Sequence, residues 1–196
     1  IHLYEEKETF VEGKLEWLKH KMQEYGYSKP IWCIEGGGPL KDPPGKPTKY
    51  GDPYFGDWSA KENAEFVIKL HVLSAAKGVE RQHWGLSGTA DDDYWNGPWT
   101  VMALMTNTRA KKPAYYTFQL MVQKLKDFET ARDVSFGNVR LIEFATASNK
   151  VHVAWSDDMN ARGYDLSGKV GAAQVLVTSI VTELQADGKP VGPTQQ

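Results

Sequence analysis

The 196-residue sequence lacks several features that would narrow its function at once. It has a single cysteine, Cys33, so it can form no internal disulfide, and cysteine content does not decide the compartment. No apolar run approaches the roughly 20 residues that span a bilayer, and the amino terminus has neither a basic start nor a hydrophobic signal segment. The formal net charge is −2, and no long basic face is evident. These absences argue against a membrane or a nucleic acid as partner.

The sequence also lacks the motifs of several enzyme classes. It has neither the Gly-x-Ser-x-Gly turn of serine hydrolases nor the His-Glu-x-x-His zinc motif. The glycines at 36–38 belong to no Gly-x-Gly-x-x-Gly pattern and are not followed by Lys-Ser or Lys-Thr, which argues against a phosphate-binding loop. The run Asp91 to Asp93 is not spaced like an EF-hand loop and is more typical of a solvated turn. The sequence therefore predicts no metal and no cofactor.

What the sequence does contain is an alternation of short apolar runs and helical patterns, in a composition typical of globular proteins. Helices are predicted where apolar residues recur every three or four positions, at Thr9–Tyr25, at Ala60–Lys77 and from Ala114 to about Phe128. Strands are predicted at Ile31–Ile34 and over the residues of VERQHWGL, 79–86. Strands that alternate with helices in this way indicate a parallel α/β architecture.

The character of the chain changes near residue 130. The stretches NVRLIEFATASNKVHVAWSDD and AAQVLVTSIVTELQADGKPVG are rich in β-formers, contain turn residues and show no helical period. We therefore expect two domains. Residues 1–130 form the α/β part, and residues 131–196 form a small antiparallel β domain.

One acidic residue stands where a buried strand is predicted to end. In WCIEGGG, Glu35 follows an apolar run and precedes three glycines. Functional groups gather at the carboxyl ends of parallel strands. Strand alternation predicts that Ile31, Cys33 and Glu35 share one face and that Trp32 and Ile34 share the other. An exposed glutamate at a strand end is the alternative, but the following glycines and the aromatic residues of nearby loops favour a site.

Two long loops carry aromatic residues. Residues 36–57 are dense in glycine and proline, and the loop over residues 87–98 contains Trp95 and leads into Trp99. Loops of this length in compact domains are usually functional or mobile. Trp95 and Trp99 could pack locally or form a stacking surface for sugar rings, and the residues alone do not choose between these roles.

Several of these motifs, taken in order, resemble a known enzyme family. The runs YGYSKPIWCIEGGGP, VERQHWGL and KKPAYYTFQLMVQKL, with the β-rich tail, are similar to the carboxyl-terminal part of (β/α)8-barrel glycoside hydrolases of the retaining superfamily called clan A. The nearest similarity is to the β-xylosidase and α-iduronidase-like family or to a related family with an attached β-sandwich. The resemblance implies that residues 1–130 are about the last three units of a TIM barrel and that residues 131–196 form a β-sandwich-like domain. It also implies a carbohydrate substrate and favours a secreted or extracytoplasmic protein.

The resemblance assigns roles to residues at the strand ends. Glu35 matches the catalytic nucleophile, and Tyr4 matches the tyrosine that donates a hydrogen bond to it. His2 matches a neighbour that lines the pocket, and Trp84 matches the tryptophan that forms the floor of the sugar-binding subsite. The expected substrate-binding residues are His2, Tyr4, Trp84, Trp95 and Trp99.

The chain also departs from the family. The family's acid/base glutamate follows an asparagine at the end of the fourth strand, but no Asn-Glu-Pro segment occurs here, and KENAEF at 61–66 lies in a predicted helix. We expect the chain, which starts at Ile1 within a strand, to be a fragment that is inactive alone and whose β domain is truncated. It would associate with the amino-terminal part of the barrel or with itself. The alternative is a non-catalytic carbohydrate-binding or structural module that uses the aromatic residues.

Overall fold

The computed structural model describes residues 1–4, 8–38, 59–85, 102–106, 108–156, 164–171 and 176–191. In chain order the elements are β1 His2–Tyr4, α1 Glu8–Glu24, β2 Ile31–Cys33, β3 Glu35–Gly37, α2 Ala60–Ala76, β4 Val79–Gln82, α3 Pro113–Leu125, β5 Thr130–Asp133, β6 Val139–Ala145, β7 Lys150–Ser156 and α4 Ser167–Val170. The fold is α/β in its first part and β-rich after residue 130, which confirms the predicted class. None of the helices in these ranges is long and apolar enough to cross a membrane.

The strands of the first part pair in parallel around one central segment, residues 31–37. β1 pairs with β3, so that His2 lies opposite Glu35. β4 pairs with β2 on the other edge of the segment, and the Gly85 N–H continues this ladder by donating to the Gly36 carbonyl at 2.6 Å. The carboxyl ends of these parallel strands therefore meet at one edge, where functional groups are expected.

The central segment contains an extra residue between β2 and β3. On the β4 side, the Cys33 carbonyl accepts from His83 N–H, and the Gly36 carbonyl accepts from Gly85 N–H. A step of three residues along the central segment thus matches a step of two along its partner, which is the count of a β-bulge. Ile34, a bend between the two strands, lies within this step.

The bulge decides which way Glu35 points. Cys33 is buried in an apolar cluster with Leu3 of β1. Glu35 instead contacts His2, which is adjacent to Leu3 along β1 and therefore lies on the opposite face. The predicted alternation, which placed Glu35 on the face of Ile31 and Cys33, is wrong for this reason.

The helices cover the face of the parallel strands that carries Leu3. The apolar stripe of α1 is buried as predicted, and Val11 and Leu15 lie in the same cluster as Phe66 and Leu70 of α2. α1 and α2 therefore form one layer over the sheet, and this layer excludes water from one face only.

Both ends of α2 follow from local sequence signals. Ser59 Oγ accepts from the Glu62 N–H at 3.2 Å, and the Glu62 carboxylate accepts from the Ser59 N–H, which completes a capping box. Gly78 follows the helix with φ at +75°, a left-handed conformation that glycine adopts without steric cost. The predicted bounds of this helix are confirmed to within one residue.

β5, β6 and β7 form an antiparallel sheet in that order. Ile142 and Phe144 of β6 pack in one cluster with Val72 of α2 and Met121 of α3. The sheet and the two helices therefore share one core. The predicted division at residue 130 follows the change in secondary structure, and the packing is continuous across it.

The end of the described chain differs from the prediction. Over residues 176–191 the β-rich stretch forms isolated bridges, at Thr178 and between Leu184 and Pro190, in place of regular strands. The segment is attached through Val181, which is buried and whose carbonyl accepts from Thr117 Oγ1 at 2.7 Å. A β-rich composition specifies a strand only where a pairing edge is available.

A buried carboxylate lies in the middle of the antiparallel sheet. Glu143 is opposite Arg132 on β5 and His152 on β7. Its carboxylate accepts hydrogen bonds from the Arg132 guanidinium and from Lys150 Nζ at 3.0 Å, and lies 3.2 Å from His152 Nε2. The hydrogen bonds from Arg132 and Lys150 lower the pKa of Glu143 to about 2. These groups replace the water that burial removes from the carboxylate.

The contribution of Glu143 to stability should depend on pH. Its pKa is lower in the folded than in the unfolded chain, so its stabilisation is complete above about 4.5 and is lost as pH falls towards about 2. Because Arg132 and Lys150 are themselves exposed, we expect Glu143→Gln to reduce the free energy of unfolding at neutral pH by only about 1–2 kcal/mol. Urea unfolding of both proteins across the acid range measures this difference. A difference that does not shrink on acidification would contradict the assignment.

Candidate functional site

Glu35 lies at the carboxyl end of the central segment, between side chains of β1. Tyr4 Oη donates a hydrogen bond to Glu35 Oε2 at 2.9 Å. His2 Nδ1 lies 3.4 Å from the same oxygen. The side chain of Glu35 remains 49% exposed, so a ligand can reach it from the open face. The structure thus brings together three of the residues that the sequence singled out.

The phenol of Tyr4 is suited to act as a permanent donor. Burial raises the pKa of Tyr4 above its ordinary value, and the hydrogen bond to Glu35 raises it further. Tyr4 is therefore protonated throughout the neutral range. A phenol O–H that stays protonated keeps donating to the carboxylate and holds it in one orientation.

The glycines around Glu35 are closely packed. A Cβ on Gly36 would lie 2.5 Å from Gln82 Nε2, and a Cβ on Gly37 would lie 2.5 Å from Met102 Sδ. Gly85, on the neighbouring strand, has a similar constraint, since its Cβ would lie 2.7 Å from Tyr4 Oη. The space that these glycines leave is occupied by the chain's own side chains.

Cys33 lies beneath the site and has a packing role. Its Sγ donates to the Glu35 carbonyl at 3.0 Å and accepts from Gln82 Nε2 at 3.2 Å. Burial raises the pKa of the thiol. A buried, protonated thiol is a poor nucleophile, so Cys33 serves to connect the central segment with β4.

Trp84 lies just after β4 and is partly buried. Its ring is stacked on His71 at 6.0 Å and packs against two of the apolar clusters. The indole N–H donates to the Met102 carbonyl at 2.9 Å. These are the contacts of a packed residue, and only the ring surface remains for a sugar. The role of Trp84 in substrate binding stays a prediction.

The remaining predicted binding residues lie outside the described ranges. Trp95 and Trp99 fall within residues 86–101, and most of the first aromatic loop falls within residues 39–58. Their assignment to sugar binding also stays a prediction.

The sequence reasoning missed Asn63. This residue lies in KENAEF, which is in α2 as predicted. Its Nδ2 donates to the Gly38 carbonyl at 2.8 Å, and the side chain is buried. The available signal was an asparagine in the interior of a capped helix, where the helix itself gains nothing from it.

In chemical terms the site presents an oriented, accessible carboxylate. Such a group can act as a nucleophile, as a general base or as a hydrogen-bond acceptor for a ligand hydroxyl. Among the described residues its side-chain partners are Tyr4 and His2. Any chemistry that needs two carboxyl groups therefore needs the second from elsewhere.

No family model matches the chain, and no curated protein is significantly similar to it. Among solved structures, a family 39 glycoside hydrolase from the gut symbiont Bacteroides cellulosilyticus WH2 matches with a TM-score of 0.49 and 16% sequence identity. The match covers 74% of this chain and 27% of that chain. A likeness at this level assigns neither a family nor an activity, so the geometry around Glu35 is what bears on function.

The coupling between Tyr4 and Glu35 can be measured directly. In Glu35→Gln the Tyr4 phenol should titrate at a lower pH than in the parent protein, because the neutral amide no longer favours the protonated phenol. It should still titrate above an ordinary tyrosine, because burial is the larger cause. Carbon NMR of ring-labelled tyrosine gives the midpoint, with the signal assigned through Tyr4→Phe. An unchanged Tyr4 midpoint would exclude the hydrogen bond in solution.

Proposed function

We propose that this chain supplies Glu35 as the nucleophile of a retaining glycoside hydrolase that acts on a β-linked glycoside or polysaccharide. The observation that carries the proposal is the hydrogen bond from Tyr4 to Glu35 at the carboxyl ends of parallel strands. The motif resemblance independently matches Glu35 with a nucleophile and Tyr4 with its tyrosine partner. Both lines of reasoning therefore select the same pair.

The geometry supports a division of labour between the two carboxylate oxygens. Oε2 accepts from Tyr4 and lies near His2, whereas Oε1 has no hydrogen bond to any residue that the structure describes. Oε1 would attack the anomeric carbon while the bond to the leaving oxygen breaks. The resulting glycosyl ester is then hydrolysed by water. Tyr4 would hold the carboxylate in the attacking orientation during the first step.

A retaining mechanism also needs a second carboxyl group, about 5–5.5 Å from the nucleophile, to protonate the leaving oxygen and later activate water. Since the described partners of Glu35 are Tyr4 and His2, we infer that polypeptide outside the described residues provides this group. The occupant that we propose is a set of further parallel β/α units placed beside β1.

The exposed side of α1 supports the proposal that further β/α units pack beside β1. Phe10 and Trp17 are seven residues apart and share one side of the helix. Glu12 and Glu16 lie on the other side of the buried stripe and pair with Lys77 next to α2, at 3.6 and 2.6 Å. Phe10 and Trp17 thus face away from α2, and they are 50% and 60% exposed. A neighbouring helix packed on this flank would bury them.

The open face of the parallel strands also supports the proposal of further β/α units. Trp32 and Ile34 are more than half exposed on the central segment. Parallel sheets are normally covered on both faces. Further parallel strands that curve over this face would cover the two side chains and would bring other strand ends close to Glu35.

The assignment of Glu35 is tested in the longest gene product that contains this chain, with aryl β-glycosides as substrates. Glu35→Ala should reduce kcat/KM by several orders of magnitude. Added azide should restore turnover and give a glycosyl azide of inverted configuration, because the small anion attacks from the side that the carboxylate leaves empty. Glu80→Gln is the matched control, since Glu80 is an exposed carboxylate on β4 whose partner is Trp32. Glu35→Ala with parental activity would overturn the assignment.

The exposed side of α1, with Phe10 and Trp17, is tested by making one substitution both in the isolated chain and in the longer gene product. In the isolated chain Trp17 is already exposed, so Trp17→Glu should change the free energy of unfolding by less than about 0.5 kcal/mol. In the longer gene product the same change should destabilise by about 2 kcal/mol or more, because it would bury an unpaired charge. Tyr25→Glu, at the exposed end of α1, is the control. Equal, small effects of Trp17→Glu in both settings would contradict the proposed partner.

A further inference from the structure

We propose that Asn63 is a positioning residue that holds the glycine run after Glu35 and thereby fixes the orientation of the Glu35 carboxylate. Its description as a positioning residue for catalysis rests on the function proposed above, whereas its effect on the geometry of Glu35 does not. Asn63 contacts neither Glu35 nor Tyr4 in the described hydrogen bonds, so it acts through the backbone.

The backbone after Glu35 is intrinsically weak. Residues 36–38 are all glycine, and each glycine loses more conformational freedom on folding than any other residue. Immediately before Glu35 the strand is interrupted by the bulge at Ile34. The carboxylate therefore stands between a bulge and a run of glycines, and its position depends on contacts that other elements provide.

The run is held by the ladder between β1 and β3, which ends at Gly37, and by two further hydrogen bonds to its carbonyl groups. The Gly85 N–H donates to the Gly36 carbonyl at 2.6 Å. Asn63 Nδ2 donates to the Gly38 carbonyl at 2.8 Å, beyond the end of that ladder. The first bond belongs to the ladder with the β4 strand. The second comes from α2 and is the contact that joins the end of the run to the helix layer.

Asn63 is not explained by the needs of its helix. The start of α2 is already capped by Ser59 and Glu62, and the Asn63 backbone N–H donates to the Ser59 carbonyl within the helix. An alanine would suit this interior position better. The side chain is only 2% exposed, so its amide is a buried polar group whose described partner is Gly38. A buried amide is retained at low cost only where its hydrogen bonds are made.

The test compares Asn63→Ala and Asn63→Asp with Ser59→Ala. Alanine removes the donor, and aspartate keeps the shape but presents an acceptor to the carbonyl. Ser59→Ala removes the capping box of the same helix without touching Gly38. Amide hydrogen exchange at residues 35–37 and the Tyr4 titration are measured in each, and the Glu35→Gln titration marks the value expected when the Tyr4 contact is lost.

In both Asn63 variants we expect exchange at residues 35–37 to accelerate on the order of five- to tenfold relative to residues 31–33. The Tyr4 midpoint should move towards that of Glu35→Gln. Ser59→Ala should lower thermal stability and change neither readout. If Asn63→Asp does not fold, Asn63→Ser replaces it. Uniform acceleration along the ladder, or a Tyr4 midpoint that does not move, would overturn the proposal whatever the outcome of the glycosidase assays.

Discussion

The segment from Ile31 to Gly37 is hydrogen-bonded to strands on both of its edges, and the other features of the first part of the fold depend on it. β1 and β4 are held in register through it, and α1 and α2 pack against the face on which Cys33 is buried. One extra residue at Ile34 then turns the chain, so that Glu35 leaves the buried face. A single strand thus serves as core at its start and as site at its end.

Two carboxylates of this chain, Glu143 and Glu35, have different surroundings, which suit one to a structural role and the other to a functional role. Glu143 is buried and surrounded by Arg132, Lys150 and His152, which satisfy its charge. Glu35 is half exposed and has a neutral phenol as its donor. A buried carboxylate whose oxygens accept hydrogen bonds from Arg132 and Lys150 is poorly accessible to a ligand. Among the described residues Glu35 is contacted through Oε2, by Tyr4 and His2, so that Oε1 remains for chemistry, which is why Glu35 is the functional candidate.

The uneven coverage of the parallel strands also points to the face that carries Glu35. One face is sealed by α1 and α2, whereas Trp32 and Ile34 on the other face are more than half exposed. The same open side carries Glu35. An open face gives the carboxylate access to a ligand, and it also offers apolar surface to the polypeptide that we propose as the source of the second carboxyl group.

The sequence by itself determined the elements whose signals are local. The apolar stripe of α1, the capping box of α2 and the two β-rich runs of β6 and β7 could be read from residue types and spacing, whereas the pairing of Tyr4 with Glu35 was implied by the resemblance. Only the tertiary structure decided the face of Glu35, the packing of Trp84 and the buried contact of Asn63. A bulge is set by the register of two strands, and the contact from Asn63 to Gly38 joins residues 25 positions apart. The β-rich stretch after residue 176 forms isolated bridges for a related reason, because a regular strand requires a partner that its own residues do not specify.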